Sequence, residues 1–121
     1  MKYIKQFESY GSFQKQNNVL DADDLQDIKD IFQDIADEYD ILYKKPDTFR
    51  EPELYYTYTQ FPRSVINPYE LRIDIENKDI LPRKTRMKLY DDMGIFSKRL
   101  IAMGFKISFF SIYRNVIIIS K

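Results

Sequence analysis

The reactive side chains this chain offers are carboxylates, ammonium and guanidinium groups, and phenols. Asp23, Asp27, Asp30, Asp34 and Asp37 recur at steps of three and four, which puts them on one stripe of a helix. A stripe of this kind suits a docking face for a basic partner or an acidic mimic of nucleic acid; the plainer reading is a solvated helix face. It does not read as a calcium loop. Counted from Asp21, the fifth, sixth and twelfth positions are Leu25, Gln26 and Phe32, where such a loop needs an oxygen ligand, a glycine and a glutamate.

Arg83, Lys84, Arg86 and Lys88 form the basic counterpart. They fall at the start of a helical pattern, where cations oppose the helix dipole. An anion bound there would relieve the conflict, and so would pairing with the acidic helix of the same chain, the simpler solution. Tyr55, Tyr56 and Tyr58 with Arg63, and Tyr113 with Arg114, have the composition of a base-stacking surface for single strands. Aromatics on strands more often serve packing. Tyr90, Asp91 and Asp92 have acid–base chemistry to offer, but only if a pocket brings them together.

Much chemistry is excluded outright. The chain has no Cys and no His, so disulfides, thiolate metal sites and thiol nucleophiles are absent, as are His-based triads and imidazole metal ligands. Its three glycines, Gly11, Gly94 and Gly104, cannot write a phosphate-binding glycine loop. No cofactor, no metal site and no catalytic residue is therefore expected. The opening residues Met1 to Glu8 hold no apolar core of a secretion signal. No apolar run approaches a membrane span, so neither secretion nor a membrane partner is expected.

The charge is neutral in sum and polarised in detail. Nineteen bases balance nineteen acids over 121 residues. Residues 20–40, however, hold nine acids against Lys29 alone, a net of −8; the remainder holds 18 bases and 10 acids, a net of +8. Aromatic residues make up 16% of the chain, enough bulk for one dense core in a single domain.

Residues 1–20 carry polar and basic side chains around Ile4, Phe7 and Tyr10 and read as an N-terminal arm. Residues 21–121 read as one α+β domain. Leu25, Ile28, Phe32, Ile35, Tyr39 and Leu42 predict an amphipathic helix over 21–42. Asp21 or Asp23 would cap its start, and the acids near its end predict a frayed last turn. Strands are predicted over 53–61 and 70–76, the second alternating Leu71, Ile73 and Ile75 with charged residues. A second helix is predicted over 83–103, with Leu89, Met93, Phe96, Leu100 and Met103 inward. Gly104 is a natural stop, and Gly94 in mid-helix suggests close packing. Residues 105–113 and 115–120 read as a hairpin that turns near Asn115. Val116–Ile119, apolar on both faces, marks a central strand.

The order is αββαββ. Residues 31–41 and 95–105 share an Ile-Phe pair, a charged middle, an Ala and an aromatic near the end, as a duplicated αββ unit would. The expected architecture is a two-layer sandwich: a four-stranded antiparallel sheet with two helices on one face, ferredoxin-like or a permuted relative.

The opening Met1-Lys2-Tyr3-Ile4-Lys5-Gln6-Phe7-Glu8-Ser9-Tyr10 resembles the start of small proteins of large tailed bacteriophages. There, an M-K-x-I-K-x-F-E type opening precedes a soluble α/β body. Asp27-Ile28-Lys29-Asp30-Ile31-Phe32 is similar to their first helix. The resemblance implies a phage origin, and with it a place in the bacterial host cytoplasm or in the virion; it carries no catalytic motif.

The expected function is a non-enzymatic protein-interaction module, either a small virion component or a host-directed accessory protein. Its partner would be another phage or host protein, or a second copy of the chain. The alternatives are a single-stranded nucleic-acid binder that uses the tyrosine strand and the basic helix start, and an acidic nucleic-acid mimic that acts as an inhibitor.

Overall fold

A computed structural model describes residues 19–45, 53–63, 67–111 and 115–121. Helix α1 spans Ala22–Tyr39. Its start is set by a reciprocal capping box. The Asp24 N–H donates to Asp21 Oδ1 at 2.8 Å, and the Asp21 N–H donates to Asp24 Oδ2 at 3.1 Å. Each carboxylate satisfies a backbone donor that the first turn leaves open.

The helix does not reach residue 42, nor is its end left loose. Asp40 turns left-handed at φ 55°, and the Ile41 N–H donates to Ala36 O at 2.8 Å, which closes the last turn in the manner of a Schellman motif. Leu42 is therefore not part of the helical stripe and is half-exposed.

Leu42–Tyr43 forms β1, a two-residue strand parallel to β2, Tyr55–Phe61. The Leu42 N–H donates to Leu54 O and the Lys44 N–H to Tyr56 O. This fifth strand was not expected; two residues carry no alternation that a sequence pattern could register. Strands β2 and β3 (Glu70–Glu76) are antiparallel neighbours, with Tyr58 opposite Ile73. A 3₁₀ turn, Lys78–Ile80, leads to helix α2, Arg83–Ala102. Strands β4 (Lys106–Ser111) and β5 (Val116–Ser120) form the last antiparallel pair. The sheet order is β1-β2-β3-β5-β4. The pair β3–β5 joins the two hairpins antiparallel at the centre.

Alternation along β3 and β5 sorts the two faces of the sheet. Leu71, Ile73, Ile75, Ile117 and Ile119 are buried in one core with Ile28, Phe32, Leu89, Phe96 and Leu100 of the helices. Glu70, Arg72, Asp74 and Glu76 point to the opposite face and are half-buried. Both helices thus cover one side of the sheet, and the protein is a two-layer α+β structure. Phe32 is the hub of this core. Its ring meets Tyr56, Phe96 and Tyr58 edge-on at 4.8, 5.5 and 6.3 Å between centroids, tying α1 to β2 and to α2.

Gly104, at φ 99°, ends α2 as its residue type predicts, and the Phe105 N–H donates to Leu100 O at 3.0 Å. Asn115 takes the left-handed conformation expected of the hairpin tip, at φ 58°. Gly94 departs from expectation. A Cβ built there meets nothing within 4 Å, so close packing does not explain this glycine. Met103 also leaves the expected stripe, at 47% exposed, because the helix has ended and the chain is turning toward β4.

Candidate interaction surface

The acidic stripe survives folding as a surface. Asp23, Asp27, Asp30, Asp34 and Asp37 are all exposed on α1. Gln26 Nε2 donates to Asp30 Oδ1, and Gln33 Nε2 to Asp37 Oδ1, each at 2.7 Å one turn along the helix. Among the described residues, the ion pairs of α1 use other acids. Lys121 Nζ lies 2.9 Å from Asp24 Oδ2, and Lys88 pairs with Glu38. Among the described residues none of the five stripe carboxylates stands in an ion pair.

The basic start of α2 is divided. Arg83 and Lys84 are exposed. Arg86 Nη1 lies 3.2 Å from Asp79 Oδ1 in the preceding turn. Lys88 finds its partner in the acidic helix, and the hydrogen bond to Glu38, aided by the same carboxylate's charge, holds the ammonium pKa above its usual value. Local carboxylates thus offset part of the conflict with the helix dipole.

The tyrosines do not make one exposed surface. Tyr55 and Tyr56 are 3% and 4% exposed. Strand alternation turns Tyr56 and Tyr58 toward the helices and Tyr55 to the other face. Tyr56 and Tyr58 pack edge-to-face at 5.3 Å, and Lys29 Nζ lies over the Tyr58 ring at 5.1 Å. Burial raises the phenol pKa of both, most strongly for Tyr58. Arg63 is exposed and sits 5.9 Å from the Phe61 ring, apart from these rings' buried faces. Tyr113 and Arg114 lie outside the described residues.

Tyr90, Asp91 and Asp92 do not converge either. Tyr90 lies under Lys78 Nζ at 4.9 Å, and Asp91 is exposed. Asp92 accepts a hydrogen bond from the Tyr39 hydroxyl. Burial, with that bond and the Asp92 charge, pushes the Tyr39 phenol well above the usual range. This is a structural tie between α1 and α2. Among the described residues no group of three or more carboxylates could hold a metal ion. No helix there is long and apolar enough to cross a membrane.

One feature escaped the sequence patterns. Between the helices runs a groove of about 170 Å³ lined by Ile31, Ile35, Ile95 and Phe96, with Asp34, Glu38, Asp92 and Arg99 around it. Ile95 is 57% exposed. The available signal was an isoleucine lying off the buried stripe of α2. A second depression, open and of about 410 Å³, lies at the end of the sheet between Phe61, Pro62, Tyr69, Glu70, Ser120 and Lys121. Its ammonium, Lys121, is already engaged with Asp24.

Comparison of the chain with protein-family models, with curated proteins and with solved structures finds no match.

Proposed function

We propose that the protein is a non-enzymatic protein-interaction module that makes its contacts through the helical layer. The observation that carries this reading is the α1 stripe: five carboxylates held on a well-capped helix, exposed, and outside the ion pairs formed among the described residues. Unscreened like charges on one helix face disfavour the isolated protein slightly, and a basic partner converts them into attraction and faster encounter. The absence of His and Cys from the sequence narrows the routes to catalysis and favours a binding role.

The resemblance of residues 1–10 to phage openings supports a phage-encoded protein. It would act in the bacterial host cytoplasm or in the virion, as a small virion component or a host-directed accessory protein. The partner is another phage or host protein, or a second copy of the chain. The fold reading that goes with this is a permuted ferredoxin-like unit made from two αββ halves. The order β2-β3-β5-β4 and the antiparallel β3–β5 junction are what supports it; β1 is then an addition at the edge.

Affinity capture from the native host or particle tests the proposal, comparing the parent chain with Asp27→Lys/Asp30→Lys/Asp34→Lys. A specific protein retained by the parent and lost with the triple variant is expected. Identical retained proteins on both, or none on either, would refute it.

A further inference from the structure

The groove between the helices deserves an occupant of defined chemistry. Helices α1 and α2 run in opposite senses: Glu38 meets Lys88 and Tyr39 meets Asp92 toward one end, while Phe32 meets Phe96 further along. Their outward seam is apolar where solvent should favour polar residues. Ile31 and Ile35 are half-buried, and Ile95 stands 57% exposed between them and the water. At about 170 Å³ the void is smaller than the roughly 300–1,000 Å³ of small-molecule sites. It has room for one or two apolar side chains.

Charge names the partner. Glu38 is engaged by Lys88 and Asp92 by the Tyr39 hydroxyl. The rim itself carries Asp34, Glu38 and Asp92 against Arg99. Asp34, with Asp27 one turn before Ile31 on α1 and Asp91 beside Asp92 on α2, both exposed beyond the rim, stays outside ion pairs among the described residues. The seam follows two helices of 18 and 20 residues, each roughly 27–30 Å long by helical rise, which is the shape that accepts a third helix laid along it.

We propose that this groove docks a basic amphipathic helix of another protein. Its apolar residues, one turn apart, sit on Ile31, Ile35 and Ile95, and its Lys or Arg residues face Asp27, Asp34 and Asp91. The inference rests on the interaction-module reading above and gives it a site and a partner class.

The test is a titration of the full chain, with isoleucine methyls observed by NMR. Three 14-residue peptides serve as probes: a Leu/Lys amphipathic helix, its Leu/Glu counterpart, and a Lys/Ser peptide without Leu. The Leu/Lys peptide is expected to shift the Ile31, Ile35 and Ile95 methyls. The Lys/Ser peptide should bind at least about tenfold more weakly and the Leu/Glu peptide not at all. Ile95→Ser and Ile95→Arg, at an exposed position, should keep the parent's circular dichroism and weaken Leu/Lys binding by about tenfold or more. The proposal is overturned if the Leu/Lys peptide does not bind, if its shifts fall on Ile107 and Ile118 of the sheet, if Leu/Lys and Lys/Ser bind alike, or if both Ile95 variants bind as the parent does. These failures are distinguishable from failure of the broader reading. Charge-dependent capture that persists through them leaves an interaction module whose contact lies elsewhere on α1.

Discussion

Gly94→Ala should stabilise this protein, although a mid-helix glycine is usually read as a packing requirement. The magnitude follows from two observations. Gly94 lies inside α2 with no positive φ, and a Cβ at that position meets no atom within 4 Å. The substitution therefore adds no clash and removes the backbone entropy that glycine loses in a helix, about 1 kcal/mol relative to Ala. The hydrogen bond from the Ser97 hydroxyl to Gly94 O, 2.9 Å, involves the main chain and is kept. For a domain of this size about 1 kcal/mol corresponds to a rise of roughly 4 °C in Tm. Urea unfolding followed by circular dichroism should show a higher midpoint with an unchanged slope. A lower midpoint would mean that the space beside Gly94 is occupied in solution, and the reasoning from open geometry would fail.

Other outcomes follow from the same contacts. Asp21→Ala removes one arm of the capping box and should cost about 1 kcal/mol by urea unfolding, whereas Asp21→Asn should cost less. The hydrogen bond from the Asp24 N–H holds the Asp21 carboxyl below its usual value. Its stabilising effect is therefore complete above the unfolded-state carboxylate range and fades as pH falls through the lowered value, a loss that Asp21→Asn should not show. Burial raises the phenols of Tyr39 and Tyr58. The folded state holds their protons after the unfolded state has released them, so stability should decline as pH rises above about 10. Tyr58→Phe should flatten that decline in urea melts at pH 9 to 11, and an unaltered slope would exclude the role. The Lys88–Glu38 pair joins two half-exposed side chains, so Glu38→Gln should change stability by less than about 1 kcal/mol, checked by the same melts.

Much of the architecture was legible because local pattern and burial agree. Asp21 with Asp24, the steps of Leu25, Ile28 and Phe32, the alternation of Leu71, Ile73 and Ile75, and the left-handed Gly104 and Asn115 are decided within a few residues of chain. The parts that were not legible depend on distant partners. The acids at the end of α1 argue for fraying, but Lys88, Asp92 and a left-handed Asp40 fix that end. Strand β1 exists because Leu54 and Tyr56 offer it backbone partners. Alternation divides Tyr55 from Tyr56 but cannot say that both faces are covered at that position, so the sequence leaves a base-stacking surface standing as an alternative to packing. The acidic stripe was readable residue by residue. The groove was not, because Ile31, Ile35 and Ile95 come together only when two helices pack.

The central claim, contact through the helical layer, is tested most directly by cross-linking in the native setting. A photo-reactive amino acid is placed at Ile95, on the helical seam, or at Phe109, 40% exposed on β4. Illumination should give a discrete protein adduct from position 95 that disappears in the Asp27→Lys/Asp30→Lys/Asp34→Lys background. An adduct formed only from position 109, or one from position 95 that is indifferent to those reversals, would contradict the account.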